Sequence, residues 1–509
     1  MPIRFLRLLP LLVISLVPTE LLASTAQEKA AIQAAARATL PEFIDFLKIP
    51  NVMRQSTADM QRNAAWAIAA FRKHGFLARE LEDGETPMVF AELPGGSKAR
   101  KTVLFYAHMD GQSVTPKEWN QADPFIPVLK AKSVDGTFKD LPIEMLTGGM
   151  PDPEWRLFAR SAADDKAPIM MLMAAAEALK ANGQTPAINI KILIDSHEEG
   201  GPPTLKDVVA RNVDLLRADA IVMLDGPMHA TNKPTIVFGH RGGGGFTLTV
   251  FGARSELHSG HYGNYAPNPV FGLATLIASM KDADGRVRIP GFYEGAEATP
   301  AMKQAFASVP DDEPAMRARI GIAQNEKVGA SYQEAINLPS LNITAIKAAD
   351  LEKPRTIIPA VASASFDART VPGTPGARQV ALVRKWVEDQ GYHLVQDTPT
   401  EEERRTYPRL AAVTGGGGGG RALMTPLDSP LGEWAHKALL AEYMQEPVRI
   451  PMMGGSVPTA PLADGLKVPI LLIPLVNNDN NQHAPNENLR IGNYLEGTRT
   501  LYSLFMQPL

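Results

Sequence analysis

Cysteine is absent from all 509 residues. That excludes disulfide staples, iron–sulfur clusters, thiolate zinc sites and a cysteine nucleophile together. Histidine is scarce at ten, and neither charge sign dominates: 51 Lys+Arg stand against 55 Asp+Glu, a formal net charge of −4. With no basic excess to neutralise a phosphate backbone, nucleic acid is not an expected partner. Any metal must be held by His, Asp and Glu. Long apolar runs are missing too. The run near the amino terminus, residues 8–17, is well short of the roughly 20 residues a membrane span needs, and no later segment is long and apolar enough.

That short run follows Arg4 and Arg7 and precedes the small residues Ser24-Thr25-Ala26, the pattern of a Sec-type signal peptide over residues 1–26. The expected location is therefore periplasmic or secreted, with no transmembrane anchor after the signal is removed. An exported chain without cysteine suits a bacterial periplasm, where a large core can replace disulfides.

At roughly 100–200 residues per domain the mature chain predicts two or three domains. Residues 28–47 and 58–74 read as amphipathic helices, after which strand-like and helical patterns alternate. Such alternation predicts an α/β fold with a mainly parallel sheet. Four apolar runs, 103–106, 188–194, 220–224 and 468–476, read as buried strands, and each is followed by polar, metal-competent residues. Open α/β sheets place their sites beyond the carboxyl ends of strands. Two glycine-rich runs, 239–245 and 415–420, read as hinges or loops. They divide the chain into a catalytic part at 27–242, an inserted α+β domain at 243–414 and the rest of the catalytic part at 415–509. Within the insert, 340–346 and 361–368 read as strands, 269–281 and 377–390 as helices, and 300–335 as a polar helical segment.

His108-x-Asp110 follows the first strand. A metal-bound imidazole commonly donates its other N–H to a carboxylate, which fixes its tautomer; alone, such a pair is more often just a capped loop. Asp164-Asp165-Lys166 opens an apolar helix, and adjacent carboxylates are tolerated at a helix start or on a metal. Glu198-Glu199 leaves a buried strand, so one glutamate can ligate a cation while the other acts as general base on water. Asp225 and His483 complete the set. Together, two His and three carboxylates at strand exits match two divalent ions sharing a carboxylate roughly 3.5–4 Å apart. His197-Glu198 begins a His-Glu-x-x-His, but Gly201 stands where the second histidine belongs. Neither a Gly-x-Ser-x-Gly elbow nor a P-loop is present.

In combination, Ala-His-Met-Asp, Arg-Ser-Ala-Ala-Asp-Asp-Lys, Glu-Glu-Gly, the lone Asp and the late His resemble the M20 metallopeptidase clan. That clan includes carnosinase-type dipeptidases, carboxypeptidase G, and acetylornithine and succinyl-diaminopimelate deacylases. The resemblance runs from about His108 to His483. It implies a zinc-peptidase catalytic domain with an inserted lid and dimerisation domain, and two divalent ions, zinc first, with manganese and cobalt also compatible with these ligands. It further implies that His108 and Asp225 hold one ion, Glu199 and His483 the other, and that Asp164 bridges them. Asp110 would orient His108, Glu198 would be the general base, and the Asp164–Asp165 bond would be cis. His258, in Leu257-His258-Ser259-Gly260, resembles the lid histidine that reaches the partner subunit's site and polarises the scissile carbonyl. Thr356, Arg369, Gly455 and Ser456 resemble carnosinase-branch residues around the substrate's terminal carboxylate. The expected substrate is a small dipeptide or N-acyl amino acid, in a homodimer joined through the lid. The sequence departs from the family at Ala167-Pro168, at Gly200-Gly201-Pro202-Pro203 and in the long stretch from Gln112 to Arg160.

Overall fold

The structure, a computed structural model, describes residues 24–81, 86–200, 204–416 and 420–509. The expected signal peptide lies outside the described residues except for its last three positions, as do Gly201, Pro202, Pro203 and the middle of the second glycine run. Among the described residues no helix is long and apolar enough to cross a membrane.

The first apolar runs become the centre of an eight-stranded sheet. Its order is Leu77–Leu81, Met88–Leu93, Asn189–Asp195, Thr102–His108, Ala220–Met223, Ile470–Leu472, Thr235–Val237 and Val448–Ile450. The four strands in the middle are parallel neighbours, so their carboxyl ends share one edge. The last run is a strand only over Ile470–Leu472, shorter than the apolar stretch that signals it. Alternate side chains of Thr102–His108 enter different cores because strand side chains alternate in face. Val103, Phe105 and Ala107 pack with the helices Ala26–Leu47, Lys166–Ala181 and Ile491–Met506. Leu104 and Tyr106 pack with Leu205, Val208 and Leu462 on the opposite side. A sheet covered on both faces explains why these strands read as unbroken apolar runs.

A second, five-stranded sheet runs Ser340–Lys347, Val361–Thr370, Gly242–Phe251, Leu410–Gly415 and His393–Leu394. Phe246, Leu248 and Val250 point to one face, with Leu273 and Leu276 of helix Pro269–Met280 and Val380 and Val383 of helix Gly376–Asp389. The Phe246 and Phe366 rings, opposite each other in register, stack at 4.8 Å. Helices Pro300–Ser308, Glu313–Ile320 and Tyr332–Ile336 form the polar helical segment. Residues 112–160 add three antiparallel strands to Asn488–Arg490, making a small four-stranded sheet.

One expectation is corrected here. Gly242 to Gly245 are strand, in register with Thr370 to Asp367, and are neither hinge nor loop. The reason is close approach: a Cβ at Gly242 would stand 2.4 Å from the Gly420 carbonyl oxygen. The second run does end a strand, with φ of +86° at Gly415 and +103° at Gly416, a left-handed backbone that glycine adopts freely.

Candidate metal centre

His108 is the last residue of its strand and is buried, with Nε2 2.9 Å from Asp164 Oδ1. Its Nδ1 lies 3.1 Å from the Asp110 carbonyl oxygen and 3.5 Å from that residue's carboxylate. Asp110 does more than orient His108. Its carboxylate accepts backbone N–H bonds from Glu198, Glu199 and Gly200 at 3.1, 2.9 and 3.2 Å. Both glutamates are thereby held on a turn beside the histidine.

The Asp164–Asp165 peptide is cis. Asp165 sits at the start of helix Lys166–Ala181 without a side-chain cap bond, and its carboxylate accepts the His108 backbone N–H at 3.2 Å instead. His483 Nε2 lies 3.1 Å from Asp164 Oδ2 and 3.2 Å from Glu199 Oε1. The other Glu199 oxygen accepts Gln112 Nε2 at 2.7 Å.

Two groups of ligand atoms result, each with its members within 4.8 Å of one another: His108, Asp164 and Asp225, and Asp164, Glu199 and His483. Asp164 belongs to both. Its buried Oδ2 has the His483 imidazole 3.1 Å away but no donor of hydrogen-bond geometry, so a cation between the two would complete its partners. A set of imidazole and carboxylate without thiolate fits divalent zinc, manganese or cobalt.

The proton balance points the same way. His108 is raised well above the ordinary histidine range, because burial, which lowers it, is outweighed by bonds to Asp110 and Asp164. His483 is pushed up to about 10 by the Asp164 and Glu199 carboxylates beside it. Burial, with Asp164 and Glu199 nearby, pushes Asp225 up to about 7. Asp164 is held below the usual carboxylate range: burial opposes this, but both histidines favour its anion. Protons thus occupy positions that cations would take. Glu198 is pushed up to about 9, chiefly by burial, with Asp225, Glu199 and Asp110 adding to it against His108.

A cavity of about 640 Å³ opens on Asp164, Glu198, Asp225 and His483, and Arg369, Gly455 and Ser456 line it as well. Arg369 comes from the second sheet, on Val361–Thr370, and its Nη1 reaches Ser456 Oγ at 3.3 Å. Asp367 holds its Nε at 3.0 Å, and Ser456 Oγ donates to the Arg241 carbonyl at 2.7 Å. His258 and Thr356 are not in this wall. Both are exposed and adjacent: His258 opposes Ile357 in a two-residue ladder, and Ser259 N–H donates to the Thr356 carbonyl at 3.0 Å. Within one chain, then, Thr356 does not join Arg369 and Ser456.

Several residues in and around the site escape sequence reasoning. Gln112 stands two residues after Asp110, a polar residue at a strand exit that could have been weighed. Asp311, Met316, Arg319 and Tyr332 of the helical segment form part of the cavity wall. That segment is anchored by His229 Nε2 at 3.2 Å from Asp311 Oδ1, and Gln333 Nε2, within the segment, holds the other Asp311 oxygen at 2.8 Å. Glu487, fully buried, accepts bonds from the backbone around Asp164; its only sequence signal is its place four residues after His483.

A largely parallel sheet whose carboxyl edge gathers histidines and carboxylates, opening on a cavity with a fixed arginine, defines a metal-dependent hydrolase. The comparisons narrow that class. The model of peptidase family M20/M25/M40 matches residues 104–507, and the chain belongs to that family of metallopeptidases. The Beta-Ala-His dipeptidase of Homo sapiens is 26% identical over 442 residues, covering 84% of this chain and 80% of that protein. The Cys-Gly metallodipeptidase dug1 of Schizosaccharomyces pombe is 26% identical over 437 residues, covering 84% of each. Among solved structures, human carnosine dipeptidase 1 superposes with a TM-score of 0.67 at 24% identity, over 94% of this chain and 99% of that one. The M20 metallo-carboxypeptidase Sso-CP2 from Sulfolobus solfataricus gives 0.70 at 24%, over 92% and 98%. These two likenesses establish the fold.

Proposed function

We propose that the protein is an exported dipeptidase that cleaves small peptides with a free carboxylate, using two divalent ions and Glu198 as general base. The observation that carries this reading is that Asp164 is common to both ligand groups, while Glu198 faces the same cavity as Arg369 and Ser456. Similarity to proteins named as dipeptidases adds to it. His108 and Asp225 would hold one ion, Glu199 and His483 the other, and Asp164 both. When bound, such ions acidify water and polarise a carbonyl. Arg369, braced by Asp367 and Ser456, grips the substrate carboxylate through charge-assisted bonds. Glu198 takes the proton of the attacking water and returns it to the leaving amine as the C–N bond breaks.

His258 then acts on the carbonyl oxygen in the partner subunit's site, with Thr356 beside it. Their exposure, away from their own chain's cavity, supports this and with it a homodimer through the inserted domain. The separate hydrophobic cores of the two sheets support the division at 243–414. Export rests on the signal-like segment. Thr25 and Glu28 form a capping box that starts the first helix, so cleavage before Thr25 keeps the cap, earlier than the 1–26 boundary.

An N-acyl amino acid deacylase is the competing reading, favoured by apolar Met228, Ile336, Met453 and Val457 in the cavity wall. A panel of dipeptides and N-acyl amino acids, run on protein whose metal content is counted, tests the choice. Faster dipeptide turnover upholds the proposal, faster deacylation replaces it, and a protein that binds no zinc and cleaves neither is a non-catalytic binding protein. Amino-terminal sequencing of a periplasmic fraction checks export.

A further inference from the structure

We propose that Glu487 is a positioning residue that fixes Asp164 for both ligand groups and locks the loop of Asp164 to the loop of His483. The inference rests on the two-ion reading above. A carboxylate offers about four acceptor sites, and Glu487 has all of them engaged. Oε1 accepts the backbone N–H groups of Ala163 and Asp164, each at 2.9 Å. Oε2 accepts the Ser161 N–H at 2.9 Å and Arg160 Nη1 at 2.7 Å.

Three amides from residues 161–164 can point at one carboxylate only if the backbone curls around it, the concave arrangement that suits an anion. Asp164 supplies one of those amides, so Glu487 holds the very residue whose side chain the two groups share. Glu487 also ends the loop that carries His483. Asn481, His483 and Asn486 in that loop have φ of +57°, +62° and +62°, a conformation that non-glycine residues keep only when their surroundings fix it. The carboxylate therefore closes a circuit. Asp164 Oδ2 and His483 Nε2 meet at 3.1 Å, and Glu487 ties the two backbones that bring them there. The pair of half-buried Arg499 with buried Glu442 provides the contrast: Glu442 joins helix Pro430–Tyr443 to helix Ile491–Met506 and belongs to neither ligand group.

The test uses the full mature protein with zinc alone as probe, titrated against a chelator, with bound metal counted and melting followed with and without zinc. Wild type is expected to hold two zinc ions per chain. Glu487→Gln, which leaves one acceptor oxygen for four donors, should bind zinc roughly 10–100-fold more weakly and lose most of the zinc-induced rise in Tm. Glu442→Gln should lower Tm while its zinc affinity stays that of wild type. Should Glu487→Gln not fold, Glu487→Asp keeps the charge but withdraws it by one methylene, and should still weaken zinc binding. Wild-type zinc affinity and stoichiometry in a folded Glu487 variant, with only Tm lowered, would overturn the inference and leave the two-ion reading intact. Absence of zinc from wild type would overturn both.

Discussion

The residues around the two ligand groups and those proposed to meet the substrate are held very differently. Around the catalytic sheet three of the five ligands are braced by a neighbour: His108 by Asp110, Glu199 by Gln112, Asp164 through its own amide. On the inserted domain Arg369 is braced by Asp367 and meets Ser456, but His258 and Thr356 are exposed, with no bond to the cavity of their own chain. Preorganisation within one chain goes further for the ligand groups than for the residues proposed to meet the substrate. On the proposed reading, the ligand set would load metal in a monomer, whereas turnover would need a second chain.

Mutations can break that contrast from either side. The largest effect is expected from Glu198→Gln: zinc content unchanged and kcat lower by roughly 10²–10⁴. Near-normal turnover in that variant would remove Glu198 from the role of base. Next, His258→Ala should lose about 10²-fold in kcat, the scale of a lost oxyanion donor. Mixing it, after dissociation and reassociation, with Glu198→Gln should restore turnover, because one site of each mixed dimer has both groups. If the mixture stays as inactive as its components, the shared site is wrong. A smaller loss is expected for Arg369→Lys, which keeps the charge but not the planar fork. KM for a dipeptide should rise by the equivalent of about 1.5–3 kcal/mol while zinc binding is unaffected.

The mildest test is pH. In the metal-free protein His483, pushed up to about 10, holds its proton at neutrality, and Asp225, pushed up to about 7, holds its proton below that; zinc must displace both. Affinity should therefore rise with pH between 5 and 8, by about tenfold per unit for each proton released. A flat profile by competition titration would show that the ligands are already deprotonated.

Much of this arrangement is legible in the sequence because it is local. A strand buried on both faces must be an apolar run, and the residue after it must leave the sheet, so His108, Asp225 and the Glu198-Glu199 pair can be read in order along the chain. What escapes reading is long-range. Glu487 reaches Asp164 across more than 300 positions, and Asp311 meets His229 across 82; nothing in either neighbourhood announces the other. Glycine misleads for a different reason. At Gly242 it marks close backbone approach and at Gly415 a left-handed turn, and composition alone gives both the same signal.

The central claim is that one carboxylate, Asp164, serves both cation sites. It is tested most directly by counting zinc per chain in wild type and in Asp164→Ala prepared alike and confirmed to be folded. Two ions in wild type and none retained in the variant is the predicted result. A folded Asp164→Ala that keeps one or two tightly bound ions would contradict it.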